Sequence, residues 1–203
     1  MRGDVSHTCR CGATKTIIHV PAFAAGTRLR CYCGDCQTAA RLNDPDQDTL
    51  TPVGASDIWQ STPDRMTFLQ GVENLKIYKL SPRSGYRWYA MCCGTLMFST
   101  LRNLNVPFVS IPLRQPEVEE ADTVMGRVRC HAFVESARPG MGAPEKSSGM
   151  VKILAAALSR ALLARITGRG GNSPLRRSDG APIAPVEVIT LETRKAARPD
   201  HLK

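Results

Sequence analysis

Seven of the eight cysteines fall into three short groups: Cys9-Arg10-Cys11, Cys31-Tyr32-Cys33-Gly34-Asp35-Cys36 and Cys92-Cys93. Cysteines this close along the chain make poor disulfide partners for one another. Their sulfurs can instead converge on one soft divalent ion without a long loop having to close. Thiolate sulfur selects zinc, copper(I) or iron–sulfur centres, and zinc is the usual outcome where thiols stay reduced. A structural zinc takes four ligands in a closed tetrahedron. Cys9 and Cys11 supply two, and Cys92 and Cys93 offer the second pair from a distant turn. Cys31, Cys33 and Cys36 form a separate group of three. Three thiolates can hold a zinc and leave its fourth position to a substrate thiol, whose pKa the metal lowers so that the nucleophilic thiolate is presented. Two zinc ions are therefore expected, the second of them labile. The competing readings are a fourth protein ligand that closes the second site, and inert thiols that fill a core.

The elements that must position these groups read as mainly β. Ala13 to Val20 and Thr27 to Tyr32 are strands that leave the first cysteine pair and enter the second group. Met66–Leu69, Leu75–Leu80, Tyr86–Met91, Leu96–Thr100, Pro107–Ile111 and Arg127–Glu135 follow as short strands, with a hairpin turn over Pro82 to Gly85. Thr38 to Pro52, with Asn43-Asp44-Pro45-Asp46, reads as a loop. We expect a β domain over residues 1–137, a Pro/Gly/Ser-rich linker over 138–150, and a C-terminal helix with a basic tail over 151–203. In that helix Val151, Leu154, Ala155, Leu158, Leu162 and Ile166 fall on one stripe, expected to pack on the β domain, and Gly168 marks its end. Val186 to Leu191 reads as an edge strand.

A chain of 203 residues can bury a real core. Its formal charge of +9 resides mostly in the C-terminal quarter: from residue 151 onward ten Lys/Arg face four Asp/Glu, against seventeen and fourteen before it. The cysteine-bearing part is thus nearly balanced, and the nucleic-acid signal is weak. Met1 to Thr8 carries no apolar run and no stretch reaches membrane-spanning length, so a cytoplasmic protein with reduced thiols is expected.

As a set, Cys9-Arg10-Cys11-Gly12, the Cys31–Cys36 group and Cys93-Gly94 resemble the glutathione-dependent formaldehyde-activating enzyme (Gfa-like) family over roughly residues 7–112. The chain looks like a separate branch with a C-terminal extension. The resemblance implies a zinc-ribbon-like β-tent fold, a four-thiolate structural zinc, and a three-thiolate zinc beside the glutathione site. It also implies carbon–sulfur lyase chemistry at a thiol–aldehyde adduct, with Cys31, Cys33 and Cys36 as the catalytic set. The alternative is a zinc-stabilised module that binds a thiol or a protein without turnover. The chain departs from the family in two motif positions. Ala90 stands where the distal turn usually has its first cysteine, which leaves the fourth ligand of the first zinc open between Cys92, Cys130 and His131. Tyr32 replaces the histidine of the usual Cys-His-Cys, removing a general acid or base.

Other residues have plainer expectations. Cys130 is read as a core thiol with His131 facing solvent, His7 as a flexible terminal histidine, and His19 as solvent-facing. Arg83, Tyr86, Arg87, Trp88 and Tyr89 make a dense patch before Cys92, in which an arginine could grip a carboxylate or Trp88 could simply pack under the zinc turn.

Overall fold

The structure, a computed structural model, describes residues 3–43, 49–140 and 142–203. In chain order its elements are β1 (Gly3–Thr8), β2 (Lys15–Val20), β3 (Thr27–Cys31), α1 (Gly34–Arg41), β4 (Ser56–Ser61), β5 (Met66–Gln70), β6 (Leu75–Lys79) and β7 (Tyr86–Ala90). There follow β8 (Thr95–Thr100), β9 (Val109–Pro112), α2 (Gln115–Val124), β10 (His131–Ala132), α3 (Met150–Ile166), β11 (Val186–Val188) and α4 (Leu191–Ala197). The protein is thus mostly β with four helices among the described residues. None of these helices is long and apolar enough to cross a membrane.

Eight strands form one sheet in the order β10-β3-β4-β9-β8-β7-β6-β11, and β1-β2-β5 form a second. The interior pairings are antiparallel, while both edge strands, β10 and β11, run parallel to their neighbours. Alternation decides the layering. In β2, Thr16, Ile18 and Val20 turn inward, and Ile18 and Val20 join Ile77, Trp88 and Phe98 of the large sheet in the main core. Ala121 and Met125, in and just after α2, close that layer. Full burial of each such large side chain stabilises the fold by roughly 1.5–3 kcal/mol. On the far face of the large sheet Tyr89 and Leu96 meet Ala39 of α1, and Leu29 and Ile58 meet Ile153 of α3. The large sheet is therefore covered on both sides, and the helical cover on the far side roofs the functional site.

One buried ion cluster ties this arrangement together. Arg28 of β3 donates from Nε and Nη2 to the two carboxylate oxygens of Asp57 on β4, at 2.7 and 3.0 Å, and from Nη1 to Asp122 of α2. Arg28 and Asp57 are both only 1% exposed. Removing one member of a buried pair costs roughly 3–5 kcal/mol when the other charge is left alone; here Asp57 keeps Arg30 Nε at 3.4 Å, so the cost falls at the lower end, about 3 kcal/mol. Arg28→Ala is accordingly expected to lower the urea unfolding free energy by that amount. A paired Arg28→Met, Asp57→Leu variant should lose much less.

Several expectations change here. The loop expected from Thr38 begins as helix, because α1 runs to Arg41; Asp44, Pro45 and Asp46 lie outside the described residues. The strand expected over Arg127–Glu135 shrinks to His131–Ala132, because Phe133 takes a left-handed conformation (φ 61°) and turns the chain. Helix α3 does pack on β3 and β4, but not through its apolar stripe. Ile153 and Ala164 are buried, and Arg160 donates to Thr27 Oγ1 at 2.9 Å. Val151, Leu154, Leu158, Leu162 and Ile166 all face outward, each at least 60% exposed. The face that meets the sheet is the one carrying Ile153, Arg160 and Ala164.

Candidate metal centres

Two turns bring the first four thiols together. After β1, the Cys9–Thr14 turn is closed by Cys9 N–H to Thr14 O and Gly12 N–H to Cys9 O, at 3.0 and 2.9 Å. Gly12 takes φ +80°, which a residue with a Cβ adopts at a cost. The second turn joins β7 to β8 and is closed by Gly94 N–H to Ala90 O at 2.8 Å. Gly94 is required there: at φ +77° a Cβ would lie 1.9 Å from the Asn43 carbonyl oxygen. Arg10 staples the turns, its Nη2 donating to Cys93 O at 2.9 Å and its N–H to Thr95 Oγ1 at 3.1 Å. As a result the sulfurs of Cys9, Cys11, Cys92 and Cys93 all lie within 4.8 Å of one another. Cys9 Sγ is 3.6 Å from Cys11 Sγ and 3.7 Å from Cys92 Sγ. Partial desolvation, with the neighbouring Cys11 and Cys9 thiols, pushes the otherwise exposed Cys92 thiol up to about 12. Burial also opposes ionisation of Cys93, but bonds from the Thr95 hydroxyl and the Cys11 backbone overcome it and bring that thiol down to about 6. Four sulfurs this close suit a tetrahedral, soft metal ion. The adjacent pair Cys92-Cys93 thus reaches the site from one turn, while Ala90 is absorbed in the core.

The second group is built at the junction of β3 and α1. Cys31 ends the strand, Cys33 is the N-cap of the helix, and Cys36 lies in its first turn. The Cys36 N–H donates to Cys33 Sγ at 3.4 Å. All three sulfurs lie within 4.8 Å of one another, and among the described residues no fourth His, Cys, Asp or Glu joins them. Hydrogen bonds from the Cys31 and Cys36 thiols, the Cys36 N–H and the Arg87 charge hold Cys33 down at about 3, against its burial. The proton load shifts to its neighbours. Cys31 is pushed far up, chiefly by its bonds to Cys33 and Cys36. For Cys36 the bond with Cys31 lowers the pKa, but the bond with Cys33 and burial raise it to about 12. Cys33 is thus the most easily ionised of the three, and a metal would hold all three as thiolates. All eight cysteines are free, so no disulfide competes.

Cys31 and Cys36 open onto a cavity of about 170 Å³. Its floor is the far face of the large sheet, with Ser56, Gln60, Ser99 and Ser110, and its roof includes Phe133, Met150 and Ile153. Arg87 lines it as well, and its Nε is buried without a hydrogen-bond partner. Arg87 is the residue of the aromatic/arginine patch that reaches the site. Trp88 faces the opposite way, fully buried, with Nε1 donating to Thr100 at 3.0 Å. Tyr89 fixes the roof by donating its hydroxyl to Ala39 O of α1 at 2.7 Å.

The remaining candidates fall elsewhere. Tyr32 is buried in a separate cluster with Ala55 and Val134, its hydroxyl 3.2 Å from His131 Nδ1, and it does not line the cavity. Cys130 is fully buried, 3.9 Å from Met150 Sδ, and neither it nor His131 joins a cysteine group. His7 is not a flexible terminal residue. It is fully buried, with Nδ1 3.0 Å from Glu117 Oε2 and Nε2 3.1 Å from Met97 O. Glu117 also accepts from the backbone of Thr8 and Arg114. Through it α2 anchors the end of β1, one step before Cys9. Glu117 escapes sequence reasoning because a lone acid gives no sign of its distant partner. His19 bonds Asp4 and Thr67 at the surface.

Fold and site together define a mostly β protein with two cysteine-built centres able to hold metal ions. A crystal structure of a Rhodobacter sphaeroides protein is similar to it at 18% identity and a TM-score of 0.39, over 61% of this chain and 96% of that one. A search of the curated proteins gave no match. The chain belongs to the family of unknown function DUF6151, whose model matches residues 1–187.

Proposed function

We propose that the protein is a zinc-dependent carbon–sulfur lyase that acts on a glutathione-type thiol–aldehyde adduct, on a Gfa-like, zinc-ribbon-related β-tent scaffold. Cys9, Cys11, Cys92 and Cys93 hold a structural zinc in this reading. Cys31, Cys33 and Cys36 hold a second, more labile ion and form the reactive centre. The observation that carries it is the three-thiol group beside a cavity lined by Arg87, whose Nε has no hydrogen-bond partner. A zinc held there would supply a Lewis acid for the substrate sulfur.

Cleavage needs no external oxidant. The adduct's carbon–sulfur bond breaks, its hydroxyl becomes the carbonyl and gives up a proton, and the sulfur leaves as thiolate to be protonated. Arg87 holds the oxygen on which negative charge develops. Gln60 and the three serines of the floor orient the polar part of the adduct. Zinc-loaded protein should therefore consume S-hydroxymethylglutathione, and Arg87→Gln should lower kcat/KM by about 10²–10³-fold with zinc content unchanged. No rate above buffer for the wild type with any aldehyde adduct of glutathione would remove the idea.

One observation favours the second reading, a thiol-binding module without turnover. No histidine, aspartate or glutamate lines the cavity, and Tyr32, at the family's histidine position, points away from it. Saturable glutathione binding without product would select this reading.

A further inference from the structure

A cavity of 170 Å³ is small for a substrate pocket, which is usually about 300–1,000 Å³. A second hollow of about 420 Å³ adjoins it, and Gln60, Met150 and Ile153 line both. This hollow is a groove between α3 and the chain between β8 and β9. Leu101, Val106 and Phe108 face Leu154, Ala157 and Leu158 across it, and Gln60 is its one polar lining residue. The groove thus lies along the outward-facing side of α3, beside the cavity onto which Cys31 and Cys36 open, with Gln60, Met150 and Ile153 as the wall common to both.

Chemistry changes from the one hollow to the other. Near the sulfurs the walls carry Arg87, Gln60 and the serines; beyond Met150 they are apolar. Leu154 and Leu158 stand 61% and 63% exposed along the groove, which leaves apolar surface in water unless something covers it. A flexible hydrocarbon chain suits an almost wholly apolar groove of this volume, and Gln60, Met150 and Ile153, which line both hollows, set such a chain directly beside the cavity of Cys31 and Cys36.

We infer that the adduct handled here is that of an aliphatic aldehyde: its carbon chain lies in the α3 groove while its sulfur and hydroxyl sit among Cys31, Cys33, Cys36 and Arg87. This rests on the lyase reading and names its substrate class. The reaction balances as before, releasing the free thiol and a long-chain aldehyde in place of formaldehyde. Helix α3 is then the specificity wall, with Ala157 facing the chain and Leu154 and Leu158 closing over it.

The test uses inert thioethers and zinc-loaded full-length protein. S-octylglutathione and S-methylglutathione are titrated by calorimetry, alongside turnover of the octanal and formaldehyde adducts of glutathione. The octyl compound is expected to bind on the order of 100-fold more tightly, which takes burial of roughly three or four of its seven extra methylenes at about fourfold each. Ala157→Trp, which fills the groove, should abolish that preference and leave S-methylglutathione binding unchanged. Leu158→Asp, a change at an exposed lip that the fold tolerates, should reduce the preference about tenfold. Equal binding of the two thioethers by folded wild type overturns the aliphatic inference and leaves the lyase reading standing. Failure of both to bind, with neither adduct consumed, overturns the lyase reading and the inference with it.

Discussion

Cys33→Ser protein should purify with about one zinc per chain in place of two, keep its fold, and lose all turnover of thiol–aldehyde adducts. Cys33 has a double role. Its sulfur is the low-pKa member of the three-thiol group, and it is also the N-cap of α1, accepting from the Cys36 N–H. Serine is among the best N-cap residues, so its oxygen can take over the second role. It cannot take over the first, because a neutral hydroxyl is a poor ligand for a soft ion. Two remaining thiols do not make a closed zinc site. Elemental analysis beside circular dichroism separates the outcomes. Two ions retained, or activity retained with one, would dissociate Cys33 from the reactive centre.

Cys93→Ser should behave in the opposite way, losing the fold along with the metal. The four-thiol group joins the turn after β1, in the small sheet, to the turn between β7 and β8, in the large one. Structural zinc sites of this kind contribute apparent binding energies of about 10–16 kcal/mol, as large as the whole stability of a typical domain at about 5–15 kcal/mol. Loss of one thiolate therefore threatens the packing of Val5, Ile18 and Val20 on Trp88 and Phe98. The expected result is a broad or absent thermal transition and exposed hydrophobic surface. Stepwise chelation of the wild type should show the same hierarchy: the first ion leaves with activity, the second with cooperative structure. A cooperative, wild-type transition in Cys93→Ser would end the structural assignment.

The difference between these sites was partly legible in the residues. Spacings such as Cys9-x-Cys11 and Cys31-x-Cys33-x2-Cys36 report local geometry, and local geometry survives in any fold that keeps the turn. Strands rich in β-branched and aromatic residues, such as Leu75–Lys79 and Tyr86–Ala90, were legible for the same reason. Ser56–Ser61 was not: with Ser, Asp and Gln it lacks a strand's apolar alternation, and only its central place in the sheet buries it. Gly34–Arg41 hid as a helix because its first turn is spent on the cysteine group and its remainder is short and polar. The α3 stripe misled because periodicity identifies an apolar face, not what covers it; contact with the sheet went to Ile153, Ala164 and the Arg160 bond. Arg28, Asp57 and Asp122 carry no mutual signal along the chain, since their partnership exists only after β3, β4 and α2 have met.

The parallel edge strand β11 has a consequence for synthesis. It pairs Val186–Val188 with Ile77–Lys79, so the outer row of amide and carbonyl groups on β6 waits for a partner encoded far downstream. While the intervening chain is still being made, that row is a bare template flanked by Leu75 and Ile77, open to any passing strand. The nascent protein thus carries its own adhesive margin on the ribosome, and it is sealed only when the segment holding Val186–Val188 has emerged and closes the sheet.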